Sequence, residues 1–325
     1  MRILILGAGS VGGYLGARLL DAGGDVTFLV RPDRAEQLRR HGLRVFSPRG
    51  DLQIVPKVIV AGELKGTFDV IVLACKAYDF ISAVDTIAPA VGADSIVLPL
   101  LNGVAHLEAL DARFGRRQVW GGAAHLGLAI TSDGAIRHLN DFHRFIVGPR
   151  KDGIHLPDFE ALLASANVEA HISENIEQEM WSKFVFLTTL AGATCMMRAN
   201  IGTILNTIAG ERFILDLWTE CRSVAANLGH APPMPLSVHY LAQLTERGST
   251  LMSSMLRDIQ EGNTTEADHI LGDMLCRAQI ADIETPQLSL AYSHLQAYEL
   301  QRRAAAVGGD HAGTAANRRQ RPAPD

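Results

Sequence analysis

The sequence predicts an α/β protein in two parts: a doubly wound, mainly parallel sheet over residues 1–172 and an all-helical domain over 173–307, with 308–325 as a disordered tail. Three features lead to this reading. An apolar run at residues 3–6 enters a glycine-rich turn, strand-like runs alternate with helical segments until about residue 170, and helical periodicity takes over from about residue 174.

The first element is the short apolar run Ile3 to Leu6, as a parallel strand buried on both faces requires. Gly7, Gly9 and Gly12 then fill a GxGxxG template, and a helix follows from Ser10 through YLGARLLDAG until Gly23 and Gly24 stop it. A lone GxGxxG is weak, but strand, turn, helix and the second strand DVTFLV form the βαβ unit that the template needs. In that setting Gly7 permits the tight turn, Gly9 lets the backbone approach a pyrophosphate, and Gly12 allows close helix packing. Ser10, Val11 and Gly12 present the first N–H groups of the helix to the phosphates. The N-terminal domain is therefore of the Rossmann type and binds a dinucleotide.

The second strand ends in Arg31, where a carboxylate would mark a free ribose 2′-hydroxyl. A guanidinium pairs with a phosphate in a bidentate, charge-assisted way, which favours NADP over NAD, and Arg34 adds to the field. The competing reading leaves Arg31 as a solvated strand-end charge and gives the ribose hydroxyl to Asp33.

RAEQLRRHG then reads as a short helix closed by Gly42, and LRVFSPRGDLQIVPKVIV as strands around the turn Pro48-Arg49-Gly50. FDVIVLACK is a buried strand ending at Lys76, and SIVLPLLNG repeats the pattern to Asn102-Gly103. VWGGAAHLGLAI and FIVGP supply later strands, with room for antiparallel additions to the sheet. The helical half runs through IEQEMWSKFVFLTTLAGATCMM, ERFILDLWTECRSVAANLG, VHYLAQLTERG, EADHILGDMLCRAQIADI and LSLAYSHLQAYELQRRAAA. From Gly308 the chain is rich in small, charged and proline residues, hence the expected tail.

Composition narrows the partners. A net charge of −5 gives no footprint for nucleic acid, and no segment approaches the roughly 20 apolar residues of a membrane span. With strand one starting at once and no leader pattern, the expected location is cytoplasmic. Cys75, Cys195, Cys221 and Cys276 lack metal spacing and read as reduced core residues; His138 and His143 are near neighbours without further ligands, so no metal is expected.

Lys76 and Asn102 fall at carboxyl ends of strands, where ligands of such sheets sit, although a strand-end lysine and an Asn-Gly turn are also ordinary features. Lys183 is more pointed: it is the single cation of an apolar helical run, where burial demands a partner or a depressed pKa and either suits a proton donor. A snorkelling lysine is the plainer alternative. Downstream, Ser253, Ser254, Asp258, Thr265 and Glu266 join hydroxyls with carboxylates, and taken alone Thr264 and Thr265 read as a helix cap.

GAGSVGGYLG, LACK, LLNGV, EMWSKF and SSMLRD…TEADHI stand in this order, and with them the sequence resembles the ketopantoate reductases, or 2-dehydropantoate 2-reductases, over roughly residues 1 to 300. The resemblance implies NADPH-dependent reduction of a 2-oxo acid to a 2-hydroxy acid in a cleft between two domains, at the pantoate step of coenzyme A synthesis. It implies Lys183 as general acid, Glu266 as its acidic partner, and Asn102 near the reacting carbon. It further implies Lys76 on the cofactor, Arg31 on the 2′-phosphate and Ser254 on the substrate carboxylate.

Three family asparagines are absent: Leu187 and Ala191 stand one and two helical turns after Lys183, and Leu251 stands three residues before Ser254. Their loss makes the expected pocket less polar. Ketopantoate is the leading substrate; a more apolar 2-oxo acid, another hydroxy-acid or sugar-acid dehydrogenation, or a non-catalytic NADP(H) sensor are the alternatives. The long apolar stretches of the helical half also suit a homodimer.

Overall fold

The computed structural model describes residues 1–318. It divides into two compact units, 1–184 and 185–325.

The first unit holds β1 (Arg2–Leu6), α1 (Ser10–Asp21), β2 (Asp25–Leu29), α2 (Pro32–His41), β3 (Leu43–Phe46), β4 (Leu52–Ile54), β5 (Lys57–Ile59), β6 (Phe68–Leu73), α3 (Phe80–Ile87), β7 (Val91–Pro99) and α4 (His106–Phe114). β8 (Trp120–Ile130), β9 (Ile136–Pro149), α5 (Pro157–Ser165) and β10 (Glu169–Ile172) follow, and α6 (Ile176–Met197) begins in this unit. The main sheet has the order β5-β2-β1-β6-β7, and every pairing in it is parallel. Ile3, Leu4 and Ile5 are all fully buried, as are Val70 to Leu73, so consecutive residues on both faces are covered. Strand order reverses across β1, between β2 on one side and β6 on the other. Ligands of such sheets sit beyond the carboxyl ends at that point.

The antiparallel additions form a separate sheet. Its order is β10-β9-β3-β4 with β8 paired to β9; β3–β4 and β8–β9 are antiparallel, β3–β9 and β10–β9 parallel. β5, read in sequence with β3 and β4, instead pairs with β2. α1 is buried from Gly12 to Leu19 because it serves both sheets: Gly16 lies against Phe28 of the main sheet and Gly13 against Ile136 of the second.

The unit boundary falls inside α6, between 184 and 185, rather than at the expected 172/173. The first turn of α6 is tied to the first unit by side chains. A Cβ at Gly121 would strike Ile176 and Met180, and Glu177 receives Arg150 Nε at 2.8 Å and Arg116 Nη2 at 2.9 Å.

The second unit is helical, as the periodicity indicates: the rest of α6, α7 (Ile201–Leu205), α8 (Gly210–Asn227), α9 (Met234–Leu244), α10 (Ser254–Gln260), a π-helical turn at Asp268–Gly272, α11 (Asp273–Ile280) and α12 (Pro286–Arg318). Ile214, Leu217, Cys221 and Val224 are fully buried along one stripe of α8, and Leu288, Ala291 and Leu295 along one stripe of α12. Glu220 joins the two helices by accepting the N–H groups of Gln287 and Leu288 at 3.0 and 2.9 Å. α12 continues past Gly308, so residues 308–318 are helical where a disordered tail was expected. The remainder of that expected tail, 319–325, lies outside the described residues.

None of the four cysteines forms a disulfide, but the expectation that all belong to the core fails for Cys276, which is exposed, and Cys75, which is half-buried. Their helical or apolar neighbours in sequence do not fix which side they face. Burial pushes the Cys195 thiol up to about 11 and that of Cys221 to about 12, so both stay protonated.

Candidate active site

The site begins where β1 ends. Gly7 has φ +98°, and a Cβ there would lie 2.9 Å from the Ala74 carbonyl oxygen; one at Gly12 would lie 2.2 Å from the Gly7 oxygen and 2.7 Å from Ala74 Cβ. These two glycines let the turn and helix close on β6. Gly9 is different: nothing lies within 4 Å of its missing Cβ, and the residue borders a cavity of about 600 Å³. It also occupies the N-cap position of α1 without a side chain to cap it, so the first-turn N–H groups of Ser10, Val11 and Gly12 are presented to that side.

The cavity lies along the carboxyl ends of β1, β2 and β6, the switch point of the main sheet. Gly9, Arg31, Val60, Lys76, Asp79 and Thr86 are among its lining residues. Arg31 follows the second strand, Arg34 lies on the first turn of α2 and Lys76 follows the sixth strand, so three cations border one largely apolar space. Arg31 Nη2 donates to Asp79 Oδ1 at 2.6 Å.

Arg34 also lines the cavity, and backbone carbonyls hold its guanidinium in place. Nε and Nη2 donate to Ala8 O at 3.1 and 2.9 Å, and Nη1 donates to Gly134 O at 2.9 Å. Arg34 thereby fastens the glycine turn, and burial moves its pKa down. Asp33, the competing ribose contact, is exposed on the first turn of α2 and is not among the lining residues.

Lys183 lies in the second turn of α6 and is half-buried rather than snorkelling into solvent. Its Nζ donates to Asn102 Oδ1 at 3.1 Å and to the Ala124 carbonyl oxygen at 2.7 Å. Asn102 sits in the loop after β7, and Ala124 on β8 just before a register shift between Leu126 and Leu128. Two elements distant in sequence thus converge on one ammonium with neutral oxygen acceptors. The Ala124 contact carries no residue-type signature, since any residue supplies a carbonyl.

The remaining expected residues belong to the second unit. Glu266 is buried, with 8% of its surface exposed, two residues before the π-helical turn. The expected cap does not form: no side chain caps that turn, and Thr265 gives both N–H and hydroxyl to Glu299 Oε1 at 2.7 and 2.8 Å. Ser253 caps α10, accepting from Leu256 N at 3.1 Å, while Ser254 is exposed on its first turn. Ala191 is fully buried; Leu187 and Leu251 are half-buried.

His138 and His143 do meet in space, but in a polar patch on the second sheet. His138 bonds Ser47 Oγ at 3.0 Å and the Phe142 carbonyl at 2.7 Å, and His143 Nδ1 lies 3.5 Å from Tyr14 Oη. Among the described residues there is no group of three metal-ligating side chains, and no helix is long and apolar enough to cross a membrane.

A dinucleotide cradle on a parallel sheet, with a tethered lysine on the last helix of the same unit and a helical unit after it in sequence, defines an oxidoreductase of the Rossmann type. The family models described as "Ketopantoate reductase PanE/ApbA" and its C-terminal part match residues 3–152 and 175–299. This chain belongs to the ketopantoate reductase family. It is 37% identical over 306 residues to the uncharacterized oxidoreductase YkpB of Bacillus subtilis, covering 93% of this chain and all of that one. It is 30% identical to the 2-dehydropantoate 2-reductase of Pyrococcus abyssi, covering 92% and 98%. The ternary structure of D-mandelate dehydrogenase with NADH and anilino(oxo)acetate superposes with a TM-score of 0.84 at 21% identity, covering 93% and 100%. At that identity the likeness is one of fold.

Proposed function

We propose that this protein reduces the ketone of a small 2-oxo acid with NADPH, ketopantoate being the first substrate to test. The observation that carries the reading is the tethered ammonium of Lys183, held by Asn102 and Ala124 in the same unit as the glycine cradle.

The residues of the cavity fit a phosphorylated dinucleotide. Gly9 leaves open space where a side chain would block a pyrophosphate, the first turn of α1 offers N–H donors, and Arg31 is a guanidinium at the place where the 2′-phosphate is recognised. When bound, NADPH supplies hydride to the carbonyl carbon. Lys183 then has one task, to donate a hydrogen bond and finally a proton from Nζ to the carbonyl oxygen as negative charge develops there. Asn102 and the Ala124 carbonyl fix the direction of that donor. Glu266 is assigned as the acidic partner and Ser254 as a donor to the substrate carboxylate; burial of the first and exposure of the second suit these roles.

A second reading concerns the substrate side chain. Leu187, Ala191 and Leu251 replace amides, and a pocket without those amides loses partners for the hydroxyl of ketopantoate. A 2-oxo acid with a more apolar side chain is the alternative, whereas ketopantoate would place the enzyme at the pantoate step. Steady-state NADPH oxidation across a panel of 2-oxo acids, with NADH as control, decides between them. The highest kcat/KM on ketopantoate supports the first reading; a clear preference for an apolar 2-oxo acid supports the second; no turnover of any 2-oxo acid defeats both.

A further inference from the structure

Asp79 ends the short 3-10 turn Ala77–Asp79 that runs directly into α3, and its side chain makes no cap bond to that helix. Its Oδ1 takes Nη2 of Arg31 at 2.6 Å instead. The pair joins the segment after β2 to the segment after β6, and both residues line the nucleotide cavity.

Stability does not account for this arrangement. The Arg31 side chain is 75% exposed and that of Asp79 30%, and an ion pair so open to water adds little to folding. What the pair does determine is the charge met by an incoming ligand. A dinucleotide phosphate reaching for Arg31 meets a carboxylate already bound to the guanidinium and repelled by the phosphate. A ribose carrying only a 2′-hydroxyl meets no such repulsion, since a carboxylate accepts hydrogen bonds from hydroxyls.

We propose that Asp79 sets the cofactor preference of this protein: it competes with the 2′-phosphate of NADPH for Arg31 and thereby holds NADPH affinity below what Arg31 alone would give, with little effect on NADH. The inference rests on the reading of this cavity as the NADP(H) site. It makes Asp79 a specificity-determining residue that opposes the arginine beside it.

The test is titration of the full-length protein with NADPH and, separately, NADH, for wild type, Asp79→Asn and Arg31→Ala, at low and high salt. Asp79→Asn is expected to lower the NADPH dissociation constant about two- to tenfold while leaving that of NADH within about twofold. The gain should shrink at high salt, because screening weakens the competition in the wild type. Asp79→Ser serves the same purpose should the asparagine variant fold poorly, as thermal melting would reveal.

If Arg31→Ala weakens NADPH and Asp79→Asn leaves the NADPH-to-NADH ratio unchanged or lowers NADPH affinity, the role of Asp79 falls and the NADP(H) reading stands. If Arg31→Ala leaves NADPH binding unchanged, the 2′-phosphate assignment falls and the inference about Asp79 falls with it.

Discussion

Lys183 Nζ lies 3.1 Å from Oδ1 of Asn102, a contact made across 81 residues of sequence. It places a mobile, four-carbon side chain under the control of a loop at the carboxyl end of the main sheet. Side-chain placement matters for a proton donor because misalignment of about 1 Å can cost about 10²-fold in rate. Asn102→Ala is therefore expected to lower kcat by about 10- to 100-fold. Steady-state kinetics with circular dichroism as a check on folding would test it; an unchanged kcat would show that Ala124 suffices to hold the lysine.

The glycines of the cradle should separate by experiment. A Cβ at Gly12 meets the Gly7 carbonyl oxygen at 2.2 Å, whereas one at Gly9 meets nothing and the backbone there has φ −76°, open to any residue. Gly12→Ala is expected to lose about 1–3 kcal/mol of stability through overpacking. Gly9→Ala is expected to keep its melting temperature and to bind NADPH about tenfold more weakly. Equal melting temperatures for the two variants would contradict the packing roles given to them.

Arg150 anchors the start of α6. Its side chain is 4% exposed, with bonds to both oxygens of Asp111 at 2.5 and 2.9 Å and to Glu177 at 2.8 Å. Burial raises the Glu177 pKa, but Arg150 and Arg116 outweigh it and hold the carboxyl below the usual range. That stability is present above the unfolded pKa and is lost as pH falls through the folded one. Arg150→Ala leaves two carboxylates without their buried partner and is expected to cost about 3 kcal/mol in chemical denaturation at neutral pH. A loss under about 1 kcal/mol would mean the network relaxes onto solvent.

His143 gives a second pH signature. Burial lowers its pKa, and Arg49, His138 and Arg18 lower it further, while Glu169 opposes them. The folded state therefore holds the neutral ring, and the unfolded chain binds the proton first. Stability from this group is complete above the ordinary histidine range, declines as pH falls through it, and levels off below the lowered folded value. His143→Gln is expected to flatten part of the acid-side fall in melting temperature. An unaltered profile would place the sensitivity elsewhere.

Where the chemistry of a position is local, its placement was legible in the amino-acid order. Gly7, Gly9 and Gly12 announce a strand-turn-helix cradle because Gly7 and Gly12 stand where a Cβ would collide and Gly9 leaves open space beside the cavity, and Lys183 stands out as one cation in an apolar helix. Arg31 and Lys76 reach the cavity because strand ends of a parallel sheet point there. Long-range geometry left no such mark. The pairing of Arg31 with Asp79 spans 48 residues, and the Ala124 carbonyl could belong to any side chain. The separate second sheet escaped notice because strand periodicity does not say which strands pair, and the helix over residues 308–318 because the glycine, charge and proline content from Gly308 onward reads as a tail.

The most direct test is the single substitution Lys183→Ala, with NADPH affinity and NADPH oxidation measured side by side on the best 2-oxo acid. The expected result is an unchanged NADPH dissociation constant with turnover lowered by about 10²–10⁴-fold. Full turnover by Lys183→Ala would contradict the assignment of this lysine as the proton donor.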